Sequence, residues 1–126
     1  MPKILVVDDE LDILEIIRHA LNKEGFEVHV AANGFQALEQ TRKIKPDLIL
    51  MDVMMPEMDG YEAIKEIRKL DNGKNIPIVS LTAKTQADER EKCINSGASD
   101  YASKPIDADL LISLIKIWIL NSEKNK

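Results

Sequence analysis

The sequence predicts an α/β fold in which an open five-stranded parallel sheet is doubly wound by helices. Three observations predict it. Five short apolar runs (Ile4 to Val7, Phe26 to Ala31, Leu48 to Met51, Ile76 to Leu81 and the weaker Ser99 to Ser103) alternate with stretches of helical period near residues 11–24, 35–44, 59–71, 85–96 and 107–121. The strongest runs are aliphatic throughout, as strands buried on both faces are. The connections are short and marked by Asn33-Gly34, Asp59-Gly60, Asn72-Gly73 and Ser96-Gly97. Right-handed crossovers then lay helices on both faces of the sheet. Five units are too few for an eight-stranded barrel, and no internal repeat suggests a solenoid.

The elements follow in order. "ILVVDDE" is a buried strand that runs into three acids, Asp8, Asp9 and Glu10. The helix after it aligns Leu14, Ile17 and Leu21 on one face, with Gly25 placed as its stop. The second strand ends in alanines and delivers no chemical group. The third, "LILMD", ends in Asp52; the helix after Asp59-Gly60 aligns Ile64, Ile67 and Leu70. In the fourth, Ile76-Pro77 opens the strand where a missing N–H does least harm, and "IVSLT" ends in Thr82. The fifth is followed by Lys104-Pro105. In the last helix Leu111, Leu114, Ile115 and Trp118 form one apolar stripe. Ile112 and Ile119 add apolar character on its other side, more than one buried face requires, which predicts a partner surface.

In open sheets of this kind ligands bind beyond the carboxyl ends of the strands. Those ends collect Asp8, Asp9, Asp52, Thr82 and Lys104. Gathered carboxylates repel one another by several kcal/mol at an effective dielectric of about 20, so the cluster needs a cation or raised pKa values. Oxygen-only ligands with no Cys or His point to Mg²⁺ rather than zinc. His19 and His29 fall on a helix and a strand away from the cluster. With Lys104 and the Thr82 hydroxyl added, the set suits a phosphoryl group. No Ser, Cys or His is there to receive it, so the candidate nucleophile is a carboxylate, Asp52, with Asp8 and Asp9 paired to hold the metal.

The landmarks "ILVVDDE", "DLILMDVMMPEMDG", "IPIVSLTA", "GASDY" and "SKP" stand in the order and spacing of a known family. Over residues 3–120 the chain resembles the receiver domain of two-component response regulators, of the chemotaxis-regulator kind. The resemblance implies a flavodoxin-like (βα)5 sheet in the order 2-1-3-4-5, with residues 1–121 as receiver and 122–126 as a polar tail or linker start. It implies Asp52 as phosphoacceptor, with Asp9, Asp52 and the Met54 backbone carbonyl as direct Mg²⁺ ligands and Asp8 reaching the ion through water. Thr82 and Tyr101 become the switch pair, Lys104 the phosphate contact, and Pro105 the bearer of a cis peptide bond. The second half, with Trp118, is also similar to receivers of hybrid histidine kinases, which suggests a place in a phosphorelay or in a larger protein rather than a free shuttle. The implied partners are a histidine kinase or histidine phosphotransfer domain. An output or dimer partner would use the face of the fourth helix, fifth strand and fifth helix.

Composition narrows the alternatives. One domain with a single core fits 126 residues of 44% hydrophobic content. A net charge of −5 argues against direct nucleic-acid binding. A single cysteine, Cys93, precludes an intrachain disulfide and is read as a packed helix residue. With no apolar span and no secretory signal, the expected compartment is the cytoplasm. A Mg²⁺-dependent phosphohydrolase would want a second acid two residues after the nucleophile, where this chain has Met54. A flavodoxin-like cofactor carrier would want a Gly- and hydroxyl-rich loop where this chain has "DDELD". A docking module that no longer accepts phosphate would not need the acid, threonine and lysine set. Separately, Asp8 and Asp9 could cap a helix, Thr82 could cap the next one, Asp59-Gly60 reads as a turn and cap, Tyr101 could be an ordinary strand aromatic, and Met54 could pack the loop or screen the site.

Overall fold

The computed structural model describes residues 2–55, 58–82, 87–104 and 107–124. Along these the elements are β1 (Lys3–Val7), α1 (Leu11–Lys23), β2 (Glu27–Ala31), α2 (Gly34–Ile44), β3 (Leu48–Asp52) and α3 (Gly60–Arg68). A 3-10 turn at Asp71–Gly73, β4 (Ile78–Thr82), α4 (Ala87–Ser96), β5 (Asp100–Ser103) and α5 (Ala108–Lys124) complete the chain. The strands pair in parallel in the order β2-β1-β3-β4-β5, as expected.

Alternation along the strands divides the core in two. Ile4, Val6, Leu48, Leu50, Val79 and Leu81 face α1 and α5, meeting Leu14, Ile17, Leu21, Leu111, Ile115 and Ile119. Leu5, Val7, Ile49, Met51 and Ile78 face the other way, onto Ala37 of α2 and Ala63, Ile64 and Ile67 of α3. Cys93 is buried, as expected of a packing residue.

Element ends depart from expectation where backbone chemistry intervenes. β4 begins at Ile78 because Pro77 lacks an N–H, though the Pro77 carbonyl still accepts from Ile49 at 3.0 Å. The third helix stops at Arg68, and the chain then tightens into the 3-10 turn, from which Asn72 Nδ2 donates to the Thr41 carbonyl at 2.9 Å. Gly25 ends α1 in the left-handed region, φ +88°, as placed. On α5 the buried line is Leu111, Ile115 and Ile119, at a spacing of four; Ile112, Leu114 and Trp118 flank it. Ile119 is therefore core, and the exposed apolar side chains are Leu110, Ile117 and Leu120. No helix among the described residues is long and apolar enough to cross a membrane.

Candidate functional site

The central strands β1 and β3 end side by side and deliver the acids. Asp8 directly follows β1, held by its N–H on the Ala31 carbonyl at 3.1 Å. Its buried Oδ1 accepts the Glu10 N–H at 2.9 Å, turning the chain into α1. This turn leaves Asp9 and Glu10 exposed, and one carboxylate oxygen from each of Asp8, Asp9 and Glu10 falls within 4.8 Å of the others. The cap position of α1 is Glu10, which makes no side-chain cap. The capping alternative for Asp8 and Asp9 therefore gives way to an acidic cluster.

Asp52, the last residue of β3, is 1% exposed. Its Oδ1 accepts from the Met54 N–H at 3.1 Å and from Lys104 Nζ at 3.3 Å. Its Oδ2 is buried and finds no hydrogen-bond partner among the described residues. Burial pushes the Asp52 carboxyl up to about 6; the Met54 N–H and Lys104 pull it down, and the charge of Asp8 pushes it further up. Lys104 is fixed by its own N–H on the Thr82 carbonyl at 2.7 Å, and its Nζ also lies 3.4 Å from Asp8 Oδ2. Burial would lower the ammonium's pKa, but the charges of Asp52 and Asp8 outweigh it and hold the pKa above the ordinary value. The structure thus brings Asp8, Asp52 and Lys104 into one contact, with Asp9 at its rim. The three carboxylates offer oxygen donors only, one of them, Asp52 Oδ2, buried and without a partner among the described residues, and they fit a hard divalent cation that prefers oxygen.

Thr82 ends β4 beside this cluster and is buried. Tyr101 lies on the edge strand β5, partly buried, at the level of Ser80 rather than of Thr82, whose register partner is Ser103. The Met54 side chain is 71% exposed, so Met55, which is buried, does the loop packing, and Met54 contributes its backbone. Ala83, Lys84 and the Pro105 peptide bond lie outside the described residues.

Sequence reasoning missed two features. Asp59 does cap α3, its Oδ1 accepting the Glu62 N–H at 2.9 Å. Gly60 has a separate role: a Cβ there would overlap the Asp52 carbonyl oxygen and lie 2.6 Å from Val53 Cα. The glycine lets α3 begin against the backbone of the site; its position eight residues after the candidate nucleophile was the available signal. The second feature is Asp100, which accepts the Tyr101 N–H at 2.8 Å and the Trp118 indole N–H at 3.0 Å, tying α5 to β5.

A family model for the response regulator receiver domain matches residues 4–116. Among solved structures, the chemotaxis response regulator CheY4 of Vibrio cholerae superposes with a TM-score of 0.90 at 34% identity, covering 94% of this chain and 98% of that one. The receiver domain of the sensor histidine kinase PA1611 from Pseudomonas aeruginosa PAO1, described with a magnesium ion coordinated in its active-site cleft, gives 0.87 at 36% identity, covering 94% and 97%. An uncharacterized 14.6 kDa protein of Leptolyngbya boryana is 41% identical over 117 residues, 93% of this chain and 89% of that protein. Several other matched relatives are longer, and the chain spans about half of their length. Fold, strand order and these matches agree, and the chain belongs to the response regulator receiver domains, the signalling units of two-component systems.

Proposed function

We propose that Asp52 accepts a phosphoryl group from the phosphohistidine of a histidine kinase or histidine phosphotransfer domain, switching the chain's conformation for downstream interaction. The observation that carries this reading is the buried Asp52 carboxylate, steered by Met54 and Lys104 through Oδ1, with Oδ2 left unpartnered among the described residues. In the transfer an Asp52 oxygen bonds to phosphorus as the P–N bond breaks. The bonding pair stays on the imidazole nitrogen, and an aspartyl phosphate remains. The nucleophile needs no base, because a carboxyl of pKa about 6 is largely ionised above neutrality. Lys104 neutralises developing phosphoryl charge, and Thr82 donates to a phosphoryl oxygen. Asp8, Asp9, Asp52 and the Met54 carbonyl would hold Mg²⁺, which when bound supplies positive charge against both carboxylates and phosphoryl oxygens.

In this reading the domain assists only its own phosphorylation and dephosphorylation. Thr82 and Tyr101 form the switch pair, biasing two conformations of the domain. The exposed Ile94 of α4 and the exposed apolar residues of α5 support an output or dimer contact on the face of α4, β5 and α5. The receiver unit is residues 1–121, with 122–126 leading out of it, and the compartment is the cytoplasm.

The test is intact mass after incubation with acetyl phosphate, with and without Mg²⁺, for the parent and Asp52→Ala. A metal-dependent, base-labile gain of one phosphoryl group by the parent and none by the variant is the expected result. No gain under any metal condition, or an equal gain by Asp52→Ala, overturns the assignment.

A further inference from the structure

Ser80 stands in the middle of β4 with no exposed surface, and its Oγ makes no hydrogen bond among the described residues. A buried hydroxyl of this kind is uncommon, because such groups are paired in nearly all native structures. Its surroundings are set by the register. Ser80 pairs with Met51 of β3 on one side and with Tyr101 of β5 on the other. Register partners in a parallel sheet point to the same face, so the three side chains share one face. It is the face of Ile78, away from Val79 and Leu81, which pack toward α1 and α5.

Tyr101 is partly buried on the sheet's edge, so the inward direction open to its ring along this face leads over β4. The β4 side chain directly across is Ser80, the smallest on that face between Ile78 and Thr82. Neighbouring strands lie about 4.8 Å apart, less than the reach of a tyrosine from Cα to its hydroxyl. A Tyr101 ring turned inward across the gap therefore carries its O–H to the level of Ser80.

We propose that Ser80 is a positioning residue for the conformational switch, its hydroxyl becoming the hydrogen-bond partner of the Tyr101 hydroxyl when the ring turns inward. The proposal rests on the reading of Asp52 as phosphoacceptor and of Tyr101 as a switch residue, and adds the group that receives the tyrosine. In this structure the Ser80 hydroxyl is buried and finds no partner among the described residues; with the Tyr101 ring turned onto it, it is paired. The serine thereby favours the switched conformation in proportion to that one bond. A ligand that prefers the switched state binds more weakly to a protein in which that state is less populated.

The experiment is a double-mutant cycle on the affinity for beryllofluoride, a phosphoryl mimic, at saturating Mg²⁺, using the parent, Ser80→Ala, Tyr101→Phe and the double variant. Thermal melts of the unliganded proteins run beside it. Ser80→Ala is expected to bind about fivefold more weakly, Tyr101→Phe at least as weakly, and the double variant no more weakly than Tyr101→Phe. Unliganded Ser80→Ala is expected to melt at or above the parent temperature, because it loses a buried hydroxyl that has no partner among the described residues, which separates a switch role from a packing role. Parental affinity in Ser80→Ala, or a weakening that persists undiminished on the Tyr101→Phe background, overturns the role of Ser80 while leaving Asp52 in place. A parent that binds no beryllofluoride overturns the assignment of Asp52 and this inference together.

Discussion

At Asp52, burial and charge act against each other, and the balance sets how the metal-free protein responds to pH. Its carboxyl is raised from an ordinary 3.8 to about 6, so the folded state holds the proton more tightly than the unfolded chain does. The contribution of such a group is fully present below about pH 4 and is lost as pH rises through about 6. In chelator, Asp52→Asn should therefore be more stable than the parent at pH 8 by about 2 kcal/mol, and should lose that advantage by pH 4. Denaturant melts at the two pH values check this, and an equal difference at both would refute it. Lys104→Gln has the opposite sign. It leaves Asp8 and Asp52 without the cation that lies 3.4 and 3.3 Å away, so at pH 8 it should destabilise by about 1–3 kcal/mol and by less near pH 5, where Asp52 is protonated. The identities of these residues were legible in the sequence, because strand ends on one edge of a parallel sheet must converge. That Asp52 Oδ2 and Ser80 Oγ find no partner among the described residues was not, because which polar atoms find partners depends on distances of a few tenths of an ångström.

Elements carry the site by how closely they approach it. α3 starts so near β3 that a side chain at Gly60 would meet the Asp52 carbonyl and Val53 Cα, both backbone and unable to yield cheaply. Gly60→Ala should destabilise by about 2–4 kcal/mol and displace the loop whose Met54 N–H orients Asp52, weakening Mg²⁺ binding as well. Calorimetric melts with a Mg²⁺ titration read both effects, and an unchanged metal affinity would show that the loop moves independently of α3. At the far side of the sheet, Trp118 binds Asp100 next to Tyr101, so Trp118→Phe should cost about 1 kcal/mol and loosen α5 against β5. Periodicity made the existence of every helix and strand legible. Ends and facing directions were harder to read: Pro77 delays β4, the turn at Asp71–Gly73 shortens α3, and an α5 apolar on several sides hid which of its residues face the core.

For the molecule as a whole, two apolar layers hold together a sheet whose carboxyl edge collects like charges, so stability and ligand binding are coupled. The strand order β2-β1-β3-β4-β5 follows from placing β1 and β3 centrally, and it seats Asp8 and Asp52 next to each other with Lys104 in contact with both. A cation that binds the folded site and not the unfolded chain stabilises by an amount that grows with the logarithm of its concentration, about 2.7 kcal/mol at one hundred times its dissociation constant. Protons compete for the same Asp52 oxygens. Below the Asp52 pKa of about 6, each further pH unit should weaken Mg²⁺ affinity about tenfold and remove up to about 1.4 kcal/mol of that stabilisation. Melts in Mg²⁺ and in chelator should therefore diverge widely at pH 8 and draw together at pH 5, partly because the metal-free protein gains stability as Asp52 protonates. The same comparison on Asp52→Asn should show a smaller Mg²⁺ effect, nearly the same at both pH values, because the titrating ligand has been replaced by a neutral one. If the parent keeps an equal Mg²⁺ shift at pH 5 and pH 8, the metal is held by groups other than Asp52, and the exposed Asp9 and Glu10 would be the ligands to examine next.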